Sequence, residues 1–137
     1  MKGKIYTTVE ANRLLPLISR IADDIVATYA QVNAALQAYE AEKSRSENEA
    51  PNPALLRELD RDVAAVLDRF QALIEEVEAL GGTVKDYERG MLDFYGDVDG
   101  EIVYLCWMRG EDEISHWHRL EEGFSHRRPL PAIAPAA

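Results

Sequence analysis

Val77-Glu78-Ala79-Leu80-Gly81-Gly82-Thr83-Val84-Lys85 is where the chain changes its periodicity, and that change decides the fold. Upstream, Leu56, Leu59, Val63, Val66, Phe70, Leu73, Val77 and Leu80 recur at steps of three and four, which lays them along one side of an α-helix. Gly81-Gly82 ends that helix with residues that tolerate left-handed φ. Downstream the period drops to two, and Thr83 to Tyr87, Met91 to Tyr95 and Glu101 to Met108 read as strands. Glu88-Arg89-Gly90 and Gly96-Asp97-Val98-Asp99-Gly100 supply the turn residues between them.

Working back toward the N-terminus, Asn52-Pro53 offers an N-cap and a first-turn proline for the second helix. The polar stretch from Ser44 to Ala50 has no apolar period and reads as a connecting loop. Before it, Leu15, Ile18, Ala22, Ile25, Tyr29, Val32, Leu36 and Tyr39 form a matching seam of the coiled-coil kind. Thr7-Thr8-Val9-Glu10 is a capping box that starts this helical part, and Pro16 predicts a kink or a short first segment. Two long helices joined by a short loop lie antiparallel. The apolar stripe widens at Leu14, Leu17 and Ile21 and again at Leu67 and Ile74, so this end of the hairpin should receive the sheet as a second layer.

The fold class is therefore α+β: a long antiparallel helical hairpin over residues 7–80, packed at one end on a small antiparallel β-meander of three or four strands within residues 83–126. Glu113 to His118 is the candidate fourth strand, with a short helix over Glu111 to His118 as its competitor. Residues 1–126 read as one domain. Residues 127–137, rich in proline and alanine, read as an extended or disordered tail, or one ordered only against a partner.

A net charge of -10 opposes phosphate backbones and anionic lipid, so nucleic-acid and membrane-surface binding are disfavoured. A single cysteine, Cys106, precludes an intrachain disulfide and fits the reducing cytoplasm. No apolar run approaches the ~20 residues a membrane span needs.

Counting register from the turns sets Phe94 opposite Ile102, Asp93 opposite Val103 and Leu105 opposite His116. One face then carries Val84, Leu92, Phe94, Ile102, Tyr104, Cys106, Met108 and Trp117 and should pack on the helices. The other carries Lys85, Asp93, Val103, Leu105, Trp107, Ile114, His116 and His118, too apolar for a plain solvent face. Two uses of that face follow. Trp107, Leu105 and Ile114 could form the interface of a symmetric homodimer, making the protein a self-associating interaction module. Alternatively His116 and His118, ~7 Å apart on one side of a strand, could converge on Zn²⁺, Fe²⁺ or Mn²⁺ with a carboxylate from Glu111, Glu113 or Asp93, or with His126. The plainer reading of the histidines is that they line a half-buried face beside Trp107 and bond to carbonyls or carboxylates. The hairpin could also serve as an adaptor for a protein partner.

Other candidates have simpler readings. Asp93 should pair across strands with Lys85, Cys106 should be a core residue, and Asp97-Val98-Asp99-Gly100 lacks the downstream glutamate of a calcium loop and reads as a hairpin turn.

Tyr6-Thr7-Thr8-Val9-Glu10-Ala11-Asn12-Arg13-Leu14-Leu15-Pro16, Gly90-Met91-Leu92-Asp93-Phe94, and Val103-Tyr104-Leu105-Cys106-Trp107 through Gly110-Glu111, Ile114, Trp117-His118 and Gly123-Phe124 to Arg127-Arg128-Pro129-Leu130 together carry a family resemblance. On them the chain resembles the uncharacterised prokaryotic family catalogued as domain of unknown function 2203. The resemblance spans nearly the whole chain and implies no reaction or ligand. It leaves the sheet end as the functional end and the Ser44 loop as the place where members should differ.

Overall fold

The computed structural model describes residues 4–45 and 50–131. The expected loop at 46–49 and the tail at 132–137 lie outside the described residues.

Thr7 caps the first helix as its sequence requires: its hydroxyl accepts from the Glu10 amide, and the Glu10 carboxylate accepts from the Thr7 amide. That helix, α1 (Thr8–Arg13), is short. Pro16 falls in the first turn of α2 (Leu15–Lys43), where a missing N–H breaks no hydrogen bond, so of the expected kink or short first segment it is the short segment, α1, that forms. Asn52 caps α3 (Pro53–Ala79) by accepting from the Ala54 and Leu55 amides. Glu42, near the end of α2, accepts from the Asn52 amide at 2.8 Å and ties the two long helices together at the loop.

The chain then forms β1 (Gly82–Asp86), β2 (Met91–Val98), β3 (Glu101–Met108), β4 (His116–His118) and β5 (Arg128–Pro129), an antiparallel sheet in the order β1-β2-β3-β4-β5. Five strands stand where three or four were expected. The additional one comes from Arg128–Pro129, in the stretch read as tail: a proline cannot donate to a ladder, but it is tolerated on an edge strand.

The wide end of the hairpin meets the sheet through Leu14, Ile21 and Ile74, whereas Leu17 and Leu67, also expected there, are exposed. Leu15, Ile18, Ile21, Ala22 and Ile25 of α2 and Val77 of α3 form one core with Leu92, Phe94, Val103, Leu105 and Trp107 of the sheet and Ile114. Tyr29, Phe70 and Tyr87 pack ring to ring at 5.1–5.7 Å and join the β1–β2 turn to the middle of the hairpin. Two contacts distant in sequence close the structure. Tyr6 bonds backbone to backbone with Tyr95 and Asp97, occupying the edge of β2 that β1 is too short to cover. Asn12 clasps the Ile114 backbone, accepting from its amide at 2.7 Å and donating to its carbonyl at 3.1 Å. Residues 111–115 form neither the expected strand nor the competing helix: the Ile114 backbone is partnered by Asn12 of α1, the Ser115 carbonyl by the Leu130 amide, and only His116–His118 join the sheet.

The register differs from the one counted from the turns. Phe94 faces Leu105, Asp93 faces Cys106, and Leu105 faces Trp117. The offsets are three residues between β2 and β3 and one between β3 and β4. Both are odd, so in each case side chains exchange faces. The β2–β3 offset comes from the turn between those strands. It is not the five residues from Gly96 to Gly100 but the two residues Asp99 and Gly100, with φ of 53° and 85°, as a two-residue hairpin of matching twist demands. Asp97 accepts the Gly100 amide at 2.8 Å and completes the turn. Gly96 is not a turn residue at all. It stays in β2 because a Cβ there would lie 2.4 Å from Leu105 Cγ. At the other edge a bulge between Val84 and Asp86 places Asp93 opposite Thr83, not Lys85 as expected.

Candidate metal site on the outer face of the sheet

The true register sorts the strands differently from expectation. Val103, Leu105 and Trp107 turn inward to the helices, while Cys106 and Tyr104 turn outward with Asp93, His116 and His118. Trp107, Leu105 and Ile114, expected at a homodimer interface, are 1%, 0% and 1% exposed. The chain's own helices cover the surface on which that interface was to form. Trp107 is fully satisfied there, its indole N–H donating to the Glu111 carbonyl at 3.0 Å.

On the outer face Asp93 and Cys106 are direct cross-strand partners and His118 stands on the next strand. Ligating atoms of the three lie within 4.8 Å of one another, and the residues are 2%, 1% and 2% exposed. The His118 Nδ1 lies 2.9 Å from the Arg119 carbonyl, which can only accept, so Nδ1 carries hydrogen and the imidazole is locked in orientation. Its Nε2 then points at Asp93 Oδ2, 3.1 Å away. The second carboxylate oxygen, Asp93 Oδ1, is buried without a hydrogen-bond partner among the described residues.

Burial pushes the Asp93 carboxyl above its ordinary range, and His118, the Cys106 thiol and Lys85 offset this only in part. Burial, with the Asp93 charge beside it, pushes the Cys106 thiol up to about 12. A thiol so hard to ionise is not a nucleophile by itself. A divalent cation reverses the balance, because its charge stabilises both anions and deprotonates a coordinating thiol outright.

Around this cluster Tyr95 and Tyr104 stack at 5.1 Å, Lys85 Nζ lies 4.9 Å from the Tyr104 ring, and the Tyr104 ring lies 5.4 Å from His118. The Tyr104 phenol is raised to about 12 by its hydrogen bond with Tyr95, then by burial.

The residues expected to hold a metal are dispersed. His118 is in the cluster. His116 faces the same side, directly opposite Cys106, but its Nδ1 is engaged with Ser115 Oγ at 2.9 Å. Glu111 is taken by Arg127, in two contacts of 3.0 and 2.6 Å, and by the Met108 amide at 2.7 Å, while Glu113 is exposed. His126 is also exposed. Among the described residues, Asp93, Cys106 and His118 are the group whose ligating atoms converge. Cys106 is the member of this group that sequence reasoning left out. The Asp99-Gly100 dipeptide, taken as a two-residue turn, would have revealed it by placing Asp93 and Cys106 face to face.

A long helical hairpin backing an antiparallel meander, with a buried aspartate, cysteine and histidine on the far side of the meander, defines the class: an α+β protein with a polar site on its outer sheet face. Among the described residues no helix is long and apolar enough to cross a membrane. The chain belongs to the family described as Uncharacterized conserved protein (DUF2203), whose model matches residues 4–130. No curated protein and no solved structure matches it.

Proposed function

We propose that this is a metal-binding protein that holds one divalent transition ion, preferentially Zn²⁺, on a carboxylate oxygen of Asp93, Sγ of Cys106 and Nε2 of His118. The observation that carries this reading is the convergence of three buried ligating atoms around an aspartate whose Oδ1 has no hydrogen-bond partner. An unpaired buried acceptor is costly in a folded protein, and an ion would satisfy it. The charge balance also favours an ion, since a carboxylate, a thiolate and a neutral imidazole together neutralise a divalent cation. A thiolate in the set favours Zn²⁺ or Fe²⁺ over Mn²⁺, which prefers oxygen ligands. A reducing compartment such as the cytoplasm would keep Cys106 available as a thiol.

Three ligands leave one position of a tetrahedral ion, and His116 is the neighbouring side chain best placed to fill it, by turning from Ser115 toward Cys106. A closed ion of that kind cross-links β2, β3 and β4. Near-total burial of the three ligands suits such a structural role better than turnover of a substrate.

Elemental analysis and Zn²⁺ titration of untagged protein test the reading. One equivalent of ion is expected, with its uptake lost in each of Asp93→Asn, Cys106→Ser and His118→Gln and weakened in His116→Ala. Folded wild-type protein that takes up no ion, or a Cys106→Ser variant that binds as tightly as wild type, would end it.

A further inference from the structure

The site is followed in the chain by a segment that the sequence read largely as loop and tail. After His118 the chain runs through a single 3-10 turn, Phe124–His126, into β5, and returns along β4 as the edge strand of the sheet. Four contacts hold this strap over residues 119–130. Arg128 donates to both Glu122 oxygens at 2.9 Å, and the Leu130 amide donates to the Ser115 carbonyl at 2.8 Å. Arg127 donates to both Glu111 oxygens, and its guanidinium lies 4.4 Å from the centre of the Phe124 ring. Burial pushes the Glu111 carboxyl up, but Arg127 and the Met108 amide more than offset it and keep the group ionised.

The register aims Arg127 at the site. Pro129 stands opposite His116, and His116 opposite Cys106, so Arg127, two residues before Pro129, belongs to the outer side of the sheet. Its charge there offsets part of the upward push that burial gives the Cys106 thiol. The guanidinium thus holds the carboxylate that anchors the strap, on the side of the sheet that carries the sulfur proposed as a ligand.

We infer that Arg127 is a positioning residue that couples ion occupancy to closure of the strap, by donating an N–H to Cys106 sulfur while Glu111 holds it in place. The inference rests on the metal reading above. A thiol is a weak acceptor, whereas a metal-bound thiolate accepts a charge-assisted hydrogen bond from a guanidinium. Loading the ion therefore strengthens the contact that holds the strap down. By linkage, a closed strap strengthens ion binding by the same factor. Lysine is a poor replacement, because one ammonium cannot present the fork that spans Glu111 and Cys106 together.

The test uses the full chain, with Co²⁺ as a visible substitute for Zn²⁺ and hydrogen exchange read over residues 119–130. Zn²⁺ is expected to slow amide exchange across the strap in wild type. Arg127→Met should weaken Zn²⁺ binding roughly 10–100-fold, the range for groups that orient a metal ligand. It should also move the thiolate-to-Co²⁺ charge-transfer band to lower energy, since a sulfur relieved of its N–H donor holds its electrons less tightly. Arg127→Lys should recover part of the band position and less of the affinity. If wild type takes up no Co²⁺ or Zn²⁺, the metal reading fails and this inference with it. If the ion binds but strap exchange is indifferent to it, or if Arg127→Met keeps wild-type affinity and band position, the inference alone fails. Should Arg127→Met not fold, strap exchange in wild type with and without Zn²⁺ still decides the matter.

Discussion

The two faces of the β-sheet are built from alternate residues of the same strands, yet they bury their side chains by opposite means. The inner face, with Leu92, Phe94, Val103, Leu105 and Trp107, is dry and meets the helices through van der Waals contact. The outer face buries Asp93, Cys106 and His118 about as completely, and the C-terminal strap beside it is held by two bidentate Arg–Glu pairs. Depth of burial therefore does not distinguish core from site in this protein. Satisfaction does: on the inner face the Trp107 indole N–H is paired, whereas on the outer face Asp93 Oδ1 has no hydrogen-bond partner among the described residues.

That contrast can be broken or sharpened by substitution. The largest effect belongs to the inner face. Trp107→Ala opens a cavity where the hairpin meets the sheet and should destabilise the protein by about 3–5 kcal/mol in urea unfolding. A loss well below that would mean the inner face is less tightly packed than its contacts indicate. Gly96→Ala comes next, on the same face, because the added methyl meets the Leu105 side chain at 2.4–2.8 Å. Overpacking of this kind should cost about 1–3 kcal/mol, read as a lower urea midpoint. The smallest effect, and the one of opposite sign, is on the outer face. Asp93→Asn in metal-free protein should leave stability unchanged or raise it by up to about 2 kcal/mol, because it removes a buried carboxylate whose pairing does not repay its desolvation. The same substitution should abolish the stabilisation that Zn²⁺ gives wild type, about 2.7 kcal/mol at 100-fold excess over the dissociation constant. Strong destabilisation of metal-free Asp93→Asn would make the Asp93–His118 pair a plain structural contact and erase the contrast.

Much of the architecture was legible in the chain, because helices announce themselves locally. The Thr7 capping box, the Asn52-Pro53 start and the two seams each lie within a few residues of what they specify, and each is found where it was read. The candidate site was legible only in part. His118 was recognised as a possible ligand and Asp93 as a possible carboxylate, but Cys106 was assigned to the core and Arg127 to the tail. Cys106 is buried as read, and only its face was mistaken, because of Gly96; Arg127 was read with the tail because of the proline- and alanine-rich stretch that follows it. A glycine beside Asp97 looks like a turn, yet this one is a strand residue whose missing side chain admits Leu105 from β3. That demand comes from across the sheet and leaves no mark on Gly96's sequence neighbours.

What the sequence determined unaided was the material of each layer: two amphipathic helices, strands with period two, and one end of the hairpin wide enough to take a sheet. Only the tertiary structure decided which way each strand faces, since with a side-chain period of two any odd slip in register exchanges the faces. Here that choice sent Trp107 into the core and brought Cys106 beside Asp93 and His118. The Asn12 clasp on Ile114 and the Arg127 contact with Glu111 likewise join groups distant in sequence, and packing alone brings them together.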